Sequence, residues 1–269
     1  MKTNICILSI LIVLTSSCKK NTTGSTSDII TPQENDTLEV LFIGSSYFAY
    51  NNLIGLFSGL VENSSKSVII GDQVTSGYLA DHASRSSTEA KINEKDWDYV
   101  ILQGVGRITA YPTIYTDHPV FPALETLKNK ISNNCITTKM VFCMPRAYED
   151  GMTWIPGWKD TYSDMQLEIY NNTLLWADSL GFIIAPVGWA WNTVLSEKNF
   201  PLHYLHMSDW NHPSLKGSYL MACTIYSTVY GKSAEGINYF GSLIETDAKY
   251  FQQVGSSTVL NDLARWNIN

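Results

Sequence analysis

Two short segments, far apart in a chain of 269 residues, carry side chains able to move a proton and attack a carbonyl. Gly44-Ser45-Ser46 closes an apolar run, and Asp209-Trp210-Asn211-His212-Pro213 lies near the C-terminus. A serine alcohol becomes a useful nucleophile only when a neighbouring base takes its proton. An aspartate and a histidine three residues apart share one short loop. The carboxylate can then hold one imidazole nitrogen while the other faces a serine. Each segment has a plainer reading: Gly-Ser-Ser after a strand is commonly a turn and helix cap, and Asp-x-x-His is a common spacing. Ser45 and Ser46 are both candidate nucleophiles on residue type.

The other histidines, His82, His118, His203 and His206, have no carboxylate cluster at ligand spacing, so no metal site is expected, and acyl transfer by a serine, a histidine and an aspartate requires no organic cofactor. Cys135, Cys143 and Cys223 sit in or beside apolar segments. They read as buried thiols, with one disulfide as the alternative. Lys+Arg of 18 against Asp+Glu of 25 gives a net charge of -7, and no basic run interrupts it. That disfavours a nucleic-acid partner. Apolar residues at 45% and charged residues at 16% exclude a wholly disordered chain, a coiled coil and a multi-span membrane protein.

Lys2, the apolar run Ile5 to Leu14 and the small residues before Cys18 have the pattern of an export signal. Cys18 after small residues resembles the acylated cysteine of bacterial lipoproteins, with ordinary secretion as the alternative. Residues 1–17 are therefore expected to be a signal peptide and 18–36 a flexible tether. Residues 37–269 are expected to form a single domain that includes C-terminal helices. The expected location is the outer membrane or cell surface, with the periplasmic face as an alternative. Membrane contact is expected only through the lipid on Cys18, and no obligate protein partner is evident.

The elements that must position the serine, histidine and aspartate follow from short apolar runs alternating with amphipathic ones. Leu38–Ile43, Val68–Ile70, Trp97–Leu102, Lys139–Met144 and Phe182–Ala185 read as strands buried on both faces. Leu53, Leu56, Phe57 and Leu60 share a helical face, as do Leu124, Leu127 and Ile131 after a start at Pro122. Met165 to Leu180 carries Leu167, Tyr170, Leu174 and Leu175, with Gly181 as C-cap. Pro213-Ser214 reads as the start of another helix. This succession implies an α/β fold, a three-layer α/β/α sandwich around a five-stranded, mainly parallel sheet.

Taken in order, these blocks resemble the SGNH, or GDSL-like, hydrolase/esterase superfamily, whose sheet is flavodoxin-like. Gly44-Ser45-Ser46 matches the first block, with Ser46 at the nucleophile position and Ser45 replacing the usual Asp or Asn. Ser76-Gly77 matches the second, whose glycine donates a backbone N–H to the oxyanion hole. Asp209-x-x-His212 matches the last. The third block normally carries Gly-x-Asn. Here Leu102-Gln103-Gly104 stands instead, so Gln103 is expected to present its amide.

The resemblance implies a Ser46–His212–Asp209 esterase with an oxyanion hole made by Ser46, Gly77 and Gln103. Possible substrate contacts, on residues following strands or inside the Asp–His loop, are Arg107, Arg146, Trp154, Trp189, Trp191 and Trp210. Packing or surface roles are the plainer alternative for each. The expected substrate is a small acyl ester, such as acetyl, on a carbohydrate. A non-catalytic glycan-binding lipoprotein on the same scaffold is the rival reading, motivated by Ser45 and Gln103. A structural envelope protein is a weaker one.

Overall fold

A computed structural model describes residues 37–111, 120–197 and 199–268. The expected signal peptide, Cys18, the tether and His118 lie outside the described residues. Five strands, β1 (Leu38–Gly44), β2 (Val68–Val74), β3 (Tyr99–Gln103), β4 (Lys139–Cys143) and β5 (Ile183–Ala185), form one sheet in the order β2-β1-β3-β4-β5. Every neighbouring pair is parallel. The helices are α1 (Ser46–Ala49), α2 (Leu53–Glu62), α3 (Leu79–Ser84), α4 (Ser86–Ile92), α5 (Gly106–Thr109), α6 (Val120–Asn134), α7 (Tyr162–Leu180), α8 (Val187–Glu197), α9 (Leu215–Tyr230) and α10 (Glu245–Leu260).

Alternate side chains of β1, β3, β4 and β5 enter two separate cores, which is why these strands read as continuous apolar runs, whereas β2 at the edge leaves Ile69 exposed. Val40, Phe42, Ile101 and Val141 face one core, built with α2, α8, α9 and α10. Leu41, Ile43, Val100, Leu102 and Phe142 face the other, built with α3, α6 and α7. α9 lies against α2, α8 and α10 and is buried continuously from Gly217 to Val229, as expected for a helix enclosed on all sides. Phe251, Val254 and Val259 of α10 are buried too, whereas Ile244 and Leu263 of the same C-terminal stretch remain exposed.

Three expectations need correction. β2 runs on to Val74, four residues past Ile70. Its Gly71-Asp72-Gln73 hid it, because an edge strand pairs on one side only and tolerates polar residues. α6 already includes Val120, ahead of Pro122.

The buried face of α7 is also rotated from the one expected. Leu167 and Leu175 are about half exposed, while Gln166, Asn172 and Thr173 are buried. The reason is hydrogen bonding. Gln166 Oε1 accepts from the Ala147 amide at 2.7 Å, and Asn172 Nδ2 donates to the carbonyls of Thr109 and Tyr111 at 2.8 and 2.7 Å. Those side chains give hydrogen-bond partners to backbone groups of the neighbouring segments.

The chain goes from β1 to β2 on one side and then crosses to place β3 on the other side of β1. The crevice at the carboxyl ends of β1 and β3 is therefore the switch point where α/β sheets characteristically bind ligands.

Candidate active site

Ser46 occupies the first turn after β1, where Ser45 is the N-cap of α1 and its carbonyl accepts from the Phe48 and Ala49 amides. Gly44 is required by close approach, since a Cβ there would lie 2.7 Å from Gln103 Cβ and 2.9 Å from the Phe48 ring. The Asp–His loop precedes α9, which is capped by Ser214 through a bond from the Gly217 amide. Within the loop, Met207 N donates to His212 O at 2.7 Å and Trp210 N to Met207 O at 3.0 Å, with Trp210 in the left-handed region (φ 65).

These two segments meet. His212 Nε2 lies 3.0 Å from Ser46 Oγ, and His212 Nδ1 lies 2.6 Å from Asp209 Oδ2. Asp209 Oδ1 accepts from the amides of Asn211 and His212 at 3.1 and 2.9 Å. Since an ionised carboxylate can only accept, the short Nδ1 contact places the ring proton on Nδ1 and leaves the Nε2 lone pair for the serine O–H. Partial burial raises the Asp209 pKa, but the bonds from the His212 ring, the His212 amide and the Asn211 amide outweigh it and hold the carboxyl below its usual range.

Residues beyond these motifs weld the loop to the serine turn. Tyr47 donates its hydroxyl to Asn211 Oδ1, and Asn51 Nδ2 donates to Pro213 O at 2.8 Å. Tyr50 stacks on the His212 ring at 4.2 Å, and Tyr47 meets the same ring edge-on at 5.8 Å. The motif reading missed these residues. The available signal was the Asn51-Asn52 pair, a common left-handed turn former, which takes φ 53 and φ 50 here.

Ser76 and Gly77 follow β2 and border the same cavity as Ser46, a space of about 560 Å³ also lined by Tyr47, Thr75, Tyr78, Val105, Arg107, Tyr148 and Asn211. Gly77 has φ +140, a conformation that disfavours side chains. Arg85 fixes this loop, donating to Thr75 Oγ1 at 2.8 Å and Ser76 O at 2.6 Å.

Gln103 does not reach the cavity. Its Oε1 accepts from the Ser45 amide at 2.7 Å, and its Nε2 donates to Gly104 O at 3.0 Å. With both ends engaged and the residue buried, its amide braces the backbone beneath the serine turn, in place of the expected oxyanion contact.

Of the expected substrate contacts, Arg107 borders the cavity. Arg146 is fully buried. Its guanidinium lies 3.4 Å from the Tyr47 ring centroid and donates to the Asn211 carbonyl, so it braces the Asp–His loop from behind. Trp191 is fully buried in the core against His206, and Trp189 packs on Tyr170. Both were expected in a loop, but α8 begins at Val187, directly after the Pro186 that follows β5, and its turns carry them inward. Trp154 is half exposed and packs on Tyr148, and it is not part of the cavity lining. Trp210 is partly exposed against His203, outside the cavity lining.

Burial raises the pKa of Tyr47 although Arg146 opposes it. Burial and the neighbouring Tyr47 push Tyr148 up to about 12. Both phenols are therefore neutral near pH 7. Cys143 and Cys223 are buried free thiols.

No protein-family model matches the sequence, and no curated protein matches it. Solved structures do match. A DUF4886 family protein from Bacteroides uniformis ATCC 8492 superposes with a TM-score of 0.69 at 19% identity, over 84% of this chain and 95% of that one. A candidate SGNH hydrolase from Slackia heliotrinireducens gives 0.57 at 21% identity, over 72% and 99%. An acetylxylan esterase from Geobacillus stearothermophilus gives 0.50 at 17% identity, over 72% and 95%. The chain shares the fold of SGNH hydrolase structures.

Proposed function

We propose that this chain is a serine esterase of the SGNH type that removes small acyl groups, such as acetyl, from carbohydrate. The observation that carries the proposal is the hydrogen-bonded line Asp209 Oδ2–His212 Nδ1 at 2.6 Å and His212 Nε2–Ser46 Oγ at 3.0 Å. These distances are within proton-transfer reach. They join residues 166 apart in the chain beside an open cavity. The cavity volume falls within the range of small-molecule sites. The acetylxylan esterase that shares the fold supports the substrate class.

In this reading His212 Nε2 takes the Ser46 hydroxyl proton as Oγ attacks the ester carbonyl carbon. Asp209 holds the imidazole in the required tautomer and stabilises its cation. The negative charge that develops on the carbonyl oxygen is received by the Ser46 and Gly77 amides, with Gln103 acting only as a brace of the serine turn. As the tetrahedral species collapses, the C–O bond to the alcohol breaks and His212 returns its proton to that oxygen. Water then attacks the acyl-serine carbonyl, giving its proton to His212, which passes it back to Ser46. Residues 1–36 serve in the same reading to export the enzyme and tether it through lipid on Cys18 at the cell surface.

The test is hydrolysis of 4-nitrophenyl acetate and of acetylated xylo-oligosaccharides by residues 37–269, beside Ser46→Ala and His212→Ala. We expect either substitution to reduce kcat by about 10⁴-fold or more, as for other serine triads. Undiminished turnover in both variants refutes the triad. Glycan binding with no turnover by the wild type would favour the non-catalytic reading.

A further inference from the structure

We infer, resting on the esterase reading, that the substrate carries a carboxylate near its scissile ester and that Arg107 holds it. In chemical class this is an O-acylated sugar acid or a hemiester of a dicarboxylic acid.

The chain has 25 acidic against 18 basic side chains and only four arginines. Three of the four gather at the carboxyl ends of the strands. Two of them are spent on the protein: Arg85 on the Thr75–Ser76 loop, and Arg146 on Tyr47 and the Asn211 carbonyl. Arg107 is different. It borders the cavity with Ser46, is half-buried, and makes no hydrogen bond or ion pair among the described residues. Its one observed contact is the Tyr78 ring, 5.4 Å from the guanidinium carbon. Cations elsewhere on the molecule, such as Lys95, Lys159 and Lys216, are paired with Glu39, Glu168 and Asp247.

Among the described residues, Asp209 and Asp81 are already committed. Asp209 is engaged by His212 and two loop amides, and Asp81 accepts from the Tyr78 amide at 2.6 Å. Neutral Tyr47 and Tyr148 complete the wall without adding negative charge. A chain of net charge -7 thus presents to its own cavity a partly desolvated guanidinium that no acid among the described residues pairs with. Partial removal of a charge from water is costly unless a partner restores the lost interactions. The planar fork of arginine matches a carboxylate with two parallel N–H···O bonds.

The experiment compares kcat/KM within two matched pairs. One pair is an acetylated methyl galacturonide with its C6 carboxylate free and the same sugar with that carboxylate as a methyl ester, which puts the carboxylate on the alcohol side. The other is 4-nitrophenyl succinate and 4-nitrophenyl acetate, which puts it on the acyl side. We expect the wild type to prefer the carboxylate in at least one pair by about 10–100-fold, the range of a charge-assisted hydrogen bond. The pair showing the preference tells which side Arg107 reads.

Arg107→Gln should shrink that ratio to within about threefold, and Arg107→Lys should keep part of it. Raising NaCl to about 0.5 M should narrow the wild-type ratio, since the pair is only half-buried. Should Arg107→Gln fail to fold, a salt-independent ratio in the wild type would refute the inference. Equal rates within both pairs, or an undiminished preference in Arg107→Gln, also overturn it. If no ester is turned over in a Ser46-dependent way, the esterase reading fails instead. Galacturonate binding to Ser46→Ala protein, measured with and without Arg107→Gln, then decides the carboxylate site on its own.

Discussion

Replacing Gln103 separates two jobs that one buried amide can do. As a brace, it accepts the Ser45 amide at 2.7 Å and donates to Gly104 O at 3.0 Å, in a site only 4% exposed. Gln103→Leu keeps most of the volume but leaves the Ser45 N–H buried without its acceptor, a cost of about 1–3 kcal/mol. Taking about 2 kcal/mol for a domain of this size, the melting temperature should fall by about 4–8 °C. The turnover number should drop less than about tenfold, because the serine turn loosens while its donors stay. As an oxyanion donor, the same residue would give the opposite split: kcat down about 10²–10³-fold and stability nearly untouched.

Gln103→Glu sharpens the test. A protonated carboxyl can accept from Ser45 N and donate to Gly104 O, whereas an ionised one faces that carbonyl with two acceptors. Burial raises its pKa above the unfolded value of about 4.3, so the native state holds the proton more tightly. Relative to wild type, Gln103→Glu should be near its best below that pH and lose stability as pH rises through it. The assays are thermal unfolding by circular dichroism and 4-nitrophenyl acetate turnover on the same samples. A fall in kcat above about 100-fold with a melting temperature unchanged within about 1 °C would refute the brace and restore the oxyanion role.

Two further outcomes follow from buried groups near the site. His206 is fully buried, with Nε2 donating to Ala147 O at 3.0 Å, and burial assisted by the Arg146 charge pulls its pKa down to about 3. The unfolded imidazole titrates near pH ~6.5, so its contribution is complete above that value and declines as pH falls toward 3, by up to about 1.4 kcal/mol per pH unit. His206→Gln, which keeps a donor for Ala147, should flatten the fall in melting temperature between about pH 6.5 and 4; an unchanged profile contradicts this. Arg146→Met should cost kcat about 10–100-fold by releasing the Asn211 carbonyl while leaving stability within about 1 kcal/mol, because an uncompensated buried charge goes with it. A large loss of stability with full turnover by the surviving folded protein would show that Arg146 holds the core and not the loop.

Strand positions were legible because a strand buried on both faces must be apolar throughout, as Val40 to Ile43 are. The Asp209-x-x-His212 contact was legible because three residues of loop suffice to join its ends. Gly44 and Ser46 were legible from the abrupt change after an apolar run, although residue type alone did not choose between Ser45 and Ser46.

Other features depend on segments distant in sequence and left no local trace. Which face of α7 is buried depends on the Thr109 and Tyr111 carbonyls and the Ala147 amide lying within reach of Asn172 and Gln166. Gln103 turns to Ser45 and not to the cavity because β3 lies directly beside β1, a pairing between residues about 60 apart. Arg146 and Arg107 both follow strands, yet one is sealed beneath Tyr47 and the other opens beside Ser46. Burial and pairing are sums over neighbours, and the neighbours of a side chain are chosen by the whole packed chain.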